Sequence, residues 1–172
     1  MEFLDSHAHL DDAAFEEDRE QIISEIRKAG VAKVISAGYS LEGSKKAIEL
    51  SKKYDFIHAT CGISPNDIPQ TEENLWKVLR QIEDLAQNND KVVAIGEIGL
   101  DYHWNKENKE LQKLAFEAQI KIANKLELPI VIHTREAVMD TLTILKENVV
   151  AKKGVFHCCP LNRELVKEAL QL

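Results

Sequence analysis

The chain has 172 residues, of which 44% are hydrophobic and 30% are charged, and this balance excludes a disordered or fibrous protein. Its 29 acidic residues outnumber the 22 basic ones, so the formal net charge is −7. Such a surface repels phosphate groups and excludes broad electrostatic attraction as the main mode of binding nucleic acid, although bound cations would supply local positive charge.

Short apolar runs alternate with amphipathic stretches along the chain. The runs predict strands near Phe3–His9, Lys33–Ala37, Ile57–Ile63, Val92–Ile98, Ile130–His133 and Val155–His157. Between them, apolar residues recur at helical spacing, first within Arg19–Ile26, and Gly30 is expected to end that helix. Ser40, Thr71 and Asn162 are expected to cap later helices at their N-termini.

Strand–helix units in succession, with nearly continuous apolar strands, predict a parallel α/β sheet covered by helices. No linker or low-complexity tract interrupts them, so residues 1–172 are expected to form a single domain. Two architectures fit this pattern: a doubly wound open sheet, or part of a TIM-type (β/α) barrel. A closed barrel of eight units needs about 250 residues, so a barrel would have only about six of its eight units in this chain.

Cysteine content and apolar run lengths bear on the cellular compartment. The cysteines are odd in number and form no C-x-x-C pair: Cys61, Cys158 and Cys159. A disulfide framework is therefore not expected, and a reducing compartment fits better. The first apolar run, at Phe3, leaves no room for a secretory signal peptide, and runs such as Val92–Ile95 are too short to span a bilayer. The sequence predicts a cytoplasmic protein without a membrane partner.

The segment Asp5-Ser6-His7-Ala8-His9 carries the first chemical signal. Because side chains alternate faces along a strand, His7 and His9 point the same way and can reach one metal ion together. A pattern this short is equally compatible with coincidence when it is taken alone.

Three further residues strengthen the case for a metal site. Glu97, His133 and His157 stand at or near the ends of the fourth, fifth and sixth predicted strands. The carboxyl ends of parallel strands are where active sites form in such folds. A charged or imidazole side chain there is costly to desolvate unless it is paired, and a divalent ion is a suitable partner.

The ligand types indicate which metals fit. Imidazoles and a carboxylate without an obligatory thiolate suit Zn, Mn, Fe or Mg. Five ligands exceed the need of one tetrahedral zinc, so a two-metal site with a bridging Glu97 is attractive. His7 and His9 would then hold one ion, and His133 and His157 the other. Two such ions would clamp the attacking and leaving oxygens of a phosphodiester and acidify a bound water.

Four segments together resemble the TatD family of metal-dependent deoxyribonucleases, within the amidohydrolase-like barrels. They are Asp5–Asp11, Ala94–Tyr102, Leu128–Arg135 and Gly154–Cys158. The resemblance covers essentially the whole chain and implies a (β/α) barrel with the division of metal ligands described above and Glu97 in a catalytic role. It also implies Mg- or Mn-supported hydrolysis of DNA phosphodiesters, typically from the 3′ end of single strands, with Arg135 near the scissile phosphate.

The chain departs from the family pattern in two places. Where the family usually reads Gly-x-His-Pro-His, this chain has Gly62-Ile63-Ser64-Pro65-Asn66. Ser64 and Asn66 can still donate hydrogen bonds to phosphate, although neither carries charge, and they are expected to bind substrate together with Arg135. The family also places a metal-binding aspartate after its last strand, whereas this chain stops at Leu172. We therefore expect a shortened family member whose open sheet edges invite self-association.

Three functions are open at this point. The leading one is a DNase-like phosphodiesterase acting on single-stranded DNA or 3′ ends. The second is another amidohydrolase-type reaction on C–N or ester bonds, although those barrels often use a carboxylated lysine where Glu97 stands here. The third is an inactive or weakly active remnant that binds metal. His103 and Trp104, in the loop after the fourth strand, either stack on a base or pack within the loop.

Overall fold

The computed structural model of the protein describes residues 2–160 and 162–172. Its strands are β1 (Phe3–Ala8), β2 (Val31–Ser36), β3 (Ile57–Cys61), β4 (Val92–Asp101), β5 (Ile130–Arg135) and β6 (Gly154–Phe156). A short 3₁₀ helix spans Ala13–Phe15. The α-helices are α1 (Arg19–Lys28), α2 (Leu41–Lys53), α3 (Glu72–Gln87), α4 (Lys109–Lys125), α5 (Val138–Glu147) and α6 (Arg163–Ala169).

The six strands form one parallel sheet in which neighbours follow chain order, from β1 to β6. A helix lies between each strand and the next. A doubly wound sheet reverses its strand order at a switch point, so the sequential order decides between the two predicted architectures. The predicted barrel-type α/β fold with six strand–helix units is confirmed.

The sheet is strongly curled. If it were flat, the edge strands β1 and β6 would be separated by roughly 24 Å, five steps of about 4.8 Å. Instead the ring of His7, on β1, stacks on the ring of His157, just after β6, with centroids 4.0 Å apart. The curl therefore brings the carboxyl ends of the two edge strands together and forms part of a barrel.

The core lies between the middle of the sheet and its helices. The larger cluster joins β3, β4 and β5 to α3 and α4, with Ile95, Leu75 and Phe116 fully buried. A smaller cluster around Ile23 and Val34 joins α1 to β2. Burial is uneven across the sheet, because β4 is buried along almost its whole length while most of β1 is exposed.

The helix ends follow the sequence signals. Ser40, Thr71 and Asn162 each accept a hydrogen bond from the amide three residues further on, at 3.0, 3.3 and 3.0 Å, as predicted for N-caps. Gly30 follows α1 with φ of 95°, the left-handed conformation that glycine adopts easily after a helix. Within the described residues, no helix combines the length and apolar character needed to cross a bilayer.

Strand β4 is longer than the sequence indicates. The prediction that it ends at Ile98 is wrong, because pairing with β5 continues to the Asp101–Arg135 register pair. At Gly99 the φ angle is 139°, and a Cβ atom there would lie 2.0 Å from the carbonyl oxygen of His133. Glycine at this position lets the backbones of β4 and β5 approach closely. Because β4 continues beyond Gly99, Asp101 is part of the strand.

Candidate metal centre

The carboxyl ends of four strands supply the side chains that the sequence singled out as metal ligands. His7 lies in β1 and His9 follows its last residue. Glu97 lies within β4 and His133 within β5, while His157 directly follows β6. The parallel arrangement and the curl of the sheet bring these five residues into one cluster.

Glu97 lies at the centre of that cluster. Its Oε2 is 3.2 Å from His7 Nε2 and 3.7 Å from His9 Nε2. Its Oε1 is 3.0 Å from His133 Nδ1 and 3.1 Å from His157 Nε2. We call His7, His9 and Glu97 Oε2 the first half-site, and His133, His157 and Glu97 Oε1 the second half-site.

Both half-sites fit a divalent cation. In each of them, one ligand atom from every residue lies within 4.8 Å of the others. Glu97 is only 6% exposed, and a buried carboxylate requires a positively charged or hydrogen-bonding partner. Imidazole nitrogens and carboxylate oxygens are the donors that Zn and Mn accept in proteins. The residues present therefore suit a centre with a carboxylate between two ions.

The titration behaviour of the cluster agrees with a cation site. Burial alone would raise the pKa of Glu97, but hydrogen bonds from the surrounding imidazoles, led by His133 and His157, hold that pKa well below its usual range. Burial alone would lower the pKa of His133. The neighbouring carboxylates of Glu97 and Asp101 outweigh this effect, so the pKa of His133 is raised above its usual value. A proton on His133 beside Glu97 therefore lies where a metal ion would bind, and metal binding would release it.

Asp101 supports the second half-site and was missed as a functional residue by the sequence analysis. Its Oδ2 lies 3.0 Å from His133 Nε2 and accepts a hydrogen bond of 3.1 Å from Asn66 Nδ2. A carboxylate on the distal nitrogen of a histidine ligand fixes the ring orientation and raises its basicity. No local signal identified this residue, because the sequence predicts that β4 ends at Ile98, before Asp101.

The three residues expected to bind substrate lie in different surroundings. Asn66 is joined to the second half-site through Asp101. The hydroxyl of Ser64 is largely buried and donates to Asp67 Oδ2 at 2.6 Å. Arg135 ends β5, and its guanidinium carbon lies 5.3 Å from the ring centre of Trp104.

The first half-site lacks comparable support within the part of the chain that the structure describes. The Nδ1 atoms of His7 and His9 are buried and have no hydrogen-bond partner among the described residues. The ring of His9 instead meets Tyr39 edge-on, with centroids 5.3 Å apart. On the Nδ1 side of these two imidazoles, packing therefore takes the place of hydrogen bonding.

The fold and the donor set define a class: parallel (β/α) proteins with an imidazole–carboxylate centre at the carboxyl ends of their strands. The sequence profile of the TatD related DNase family matches residues 4–172. The chain belongs to that family, as its motifs indicated.

Named relatives and a solved structure agree with this assignment. An uncharacterized metal-dependent hydrolase of Bacillus subtilis, YabD, is 40% identical over 98% of this chain and 65% of its own length. A protein of Pectobacterium atrosepticum named 3′-5′ ssDNA/RNA exonuclease TatD is 33% identical over 97% of this chain and 64% of its own length. The crystal structure of YJJV, a TatD homologue from Escherichia coli, superposes with a TM-score of 0.89 at 28% identity, over 98% of this chain and 64% of that one. The chain thus spans just under two thirds of these proteins.

Proposed function

We propose that the chain is a metal-dependent phosphodiesterase that cleaves DNA, preferring single strands and acting from the 3′ end. The observation that carries this proposal is the geometry of Glu97, whose two oxygens each face a pair of imidazoles at 3.0 to 3.7 Å. Membership of the TatD related DNase family and the exonuclease name of the Pectobacterium relative support the substrate class.

The ligand residues would hold two divalent ions, Mg, Mn or Zn, with Glu97 between them. When bound, such ions supply Lewis-acid activation of water and neutralise charge on the phosphodiester. Glu97 keeps its negative charge at neutral pH because its pKa is held far below the usual range. Its charged carboxylate can therefore face both half-sites at once, and the imidazoles would supply the remaining ligand atoms.

The neighbouring polar residues would orient the substrate. The guanidinium of Arg135 is exposed at the end of β5 and offers paired donors to a phosphate. Asn66 uses one amide hydrogen on Asp101 and has a second to offer. Ser64 precedes it in the same loop and would add a hydroxyl if it exchanged Asp67 for a phosphate oxygen. Because the protein has a net charge of −7, these donors and the ions would have to supply the local attraction.

Two other functions have weaker support. Hydrolysis of C–N or ester bonds is compatible with the barrel-type fold and the cation site, but the glutamate bridge favours the TatD-type reaction. A metal-binding protein without turnover is the second alternative, because the two half-sites alone would account for cation binding.

The decisive experiment is incubation of the purified chain with 3′-end-labelled single-stranded DNA and Mn²⁺. Cleavage should be abolished by EDTA and by Glu97→Ala, and it should persist in Glu147→Ala, which removes an exposed glutamate at the end of α5. Turnover of a p-nitrophenyl ester or a dipeptide, with no cleavage of DNA, would select the second function. Stoichiometric metal binding without any turnover would select the third.

We also propose that the chain associates with itself through the sheet edges. Among the described strands, β1 pairs only with β2 and β6 only with β5. Phe3 and Leu4 on β1 are 52% and 60% exposed, and Val155 on β6 is 46% exposed. Unpaired edges with apolar side chains favour pairing with another chain. Light scattering after gel filtration should find a dimer or larger species, whereas a well-folded monomer at high concentration would exclude this association.

A further inference from the structure

The loop that follows β4 carries an exposed tryptophan. Trp104 is 68% accessible to solvent, so most of its indole is not packed against the loop. Tryptophan is enriched at interfaces because its indole combines a large apolar surface with a polar N–H group. The position of this indole relative to the metal centre is therefore informative.

Asp101 fixes the loop beside the second half-site. Its Oδ1 accepts hydrogen bonds from the backbone amides of His103 and Trp104, at 2.9 and 3.1 Å. Its Oδ2 lies 3.0 Å from His133 Nε2. One nearly inaccessible carboxylate thus holds both a proposed metal ligand and the backbone that carries the indole, so the two are adjacent.

A cation lies against the indole. The guanidinium of Arg135 is 5.3 Å from the ring centre of Trp104, which is within the range of a cation–π contact. The ring of His103 meets the indole edge-on with centroids 4.6 Å apart, and its Nδ1 is 2.7 Å from Glu136 Oε1. These contacts orient the indole while most of its surface faces solvent.

We propose that Trp104 is a stacking subsite for a nucleobase of single-stranded nucleic acid, with Arg135 contacting a phosphate of the same strand. This inference rests on the proposed function, because it requires a nucleotide beside the metal centre. Stacking on an aromatic ring tolerates any base but needs one that is not paired in a duplex. In a protein of charge −7, stacking also supplies affinity that attraction to the phosphate backbone does not.

Two ligands separate stacking from phosphate binding. One is a fluorescein-labelled oligothymidylate and the other is an oligomer of the same length built from abasic nucleotides. Both carry phosphorothioate linkages, which resist hydrolysis, and both are titrated by fluorescence anisotropy with Mn²⁺ present. The proteins are the unaltered chain, Trp104→Ala, Trp104→Phe and the matched control Trp76→Ala. Trp76 is 38% exposed on α3, and its Nε1 donates to Glu72.

We expect the unaltered chain to bind the oligothymidylate about tenfold or more tightly than the abasic oligomer, in line with stacking on an aromatic residue. This preference should disappear in Trp104→Ala, largely return in Trp104→Phe and persist in Trp76→Ala. An unchanged preference in Trp104→Ala, an equal loss in Trp76→Ala, or no preference in the unaltered chain would each overturn the subsite. Failure of the proposed function has a separate signature, namely no cleavage of the unmodified oligothymidylate with Mn²⁺, whatever the binding preference.

Discussion

The two half-sites share one carboxylate but differ in the hydrogen bonds made by the imidazole nitrogens that point away from it. In the second half-site, the distal nitrogen of His133 meets Asp101, which also binds Asn66 and two backbone amides. In the first half-site, the distal nitrogens of His7 and His9 have no partner among the described residues. The strands differ in the same way, since β1 is an exposed edge strand and β5 is mostly buried.

This difference teaches that equal ligand types need not give equal affinity. Hydrogen bonds to the distal nitrogen hold a histidine ligand in its binding orientation, and their loss typically weakens metal binding by about 10- to 100-fold. We therefore expect the second half-site to fill first in a titration with Mn²⁺, and the first half-site to fill at higher concentrations of the ion.

The largest effect should come from the residue that the half-sites share. Glu97→Gln keeps the shape of the side chain but removes its charge from both half-sites. Metal affinity should fall at both of them by more than about 100-fold. This exceeds the loss typical of residues that hydrogen-bond to a ligand without binding the metal themselves. Calorimetric titration with Mn²⁺ measures this directly, with Glu147→Gln as the control. If one half-site kept its affinity, Glu97 would not be shared.

A smaller and one-sided effect is expected at Asp101. Asp101→Ala should weaken the second half-site by about 10- to 100-fold and leave the first unchanged, because only His133 loses its support. Asp101→Asn should weaken it less, since the amide oxygen can still accept a hydrogen bond. Asp55→Ala, at the opposite end of the sheet, serves as the control. Equal weakening of both half-sites would contradict the asymmetry.

The metal-free protein should also respond to pH through this cluster. The pKa of Glu97 is lowered from 4.5, so its contribution to stability is present above about pH 4.5 and is lost as the pH falls further. The pKa of His133 is raised from 6.5, so its contribution is complete below about pH 6.5 and is lost as the pH rises through the raised value. The pair therefore stabilises the metal-free fold most between these limits.

Thermal unfolding in EDTA across a pH series tests this expectation. The melting temperature should decline as the pH rises above about 6.5 and through the raised pKa of His133. The His133→Asn variant should show a smaller decline. Added Mn²⁺ should stabilise the protein more as the pH rises, because a metal ion competes with the proton on His133. A melting temperature in EDTA that keeps rising beyond neutral pH would show that a protonated His133 does not stabilise the fold.

The smallest effect separates stability from metal affinity. Thr71→Ala removes the N-cap of α3, and the free energy of unfolding should fall by about 1 kcal/mol, as measured by urea denaturation. Both half-sites should keep their metal affinities, because α3 contributes no ligand. A change in either affinity would mean that the centre depends on the overall stability of the fold rather than on local support.

The fold was predictable from the sequence because its signals are local. Ser40 and Thr71 mark helix starts through hydroxyls that satisfy amides three residues away, and the apolar strands repeat along the chain. The five cluster residues were identifiable for a similar reason, since each stands near the end of an apolar run. The end of β4 was not predictable, because its extension depends on pairing with β5 across a glycine with a positive φ angle.

The hydrogen bonds that other residues make to the proposed ligands could not be predicted from the sequence. Asp101 and His133 are 32 residues apart, and no local pattern shows which nitrogen of the imidazole meets the carboxylate. The orientation of Ser64 was equally hidden, because its hydroxyl has both Asp67 and a substrate phosphate as chemically suitable partners. Hydrogen-bond choice among such alternatives depends on tertiary geometry.

Gly99 has a consequence for how far this centre can be varied. It lies on β4 midway between Glu97 and Asp101, and any side chain there would overlap the carbonyl oxygen of His133. In a library randomised at every position, we expect this residue to tolerate replacement as poorly as the ligands, although it has no chemistry of its own. Its constraint is one of space and of backbone conformation, since its φ angle is 139°, so no compensating charge elsewhere can relieve it. Redesign of this cluster should therefore begin from the side chains and leave the backbone contact intact.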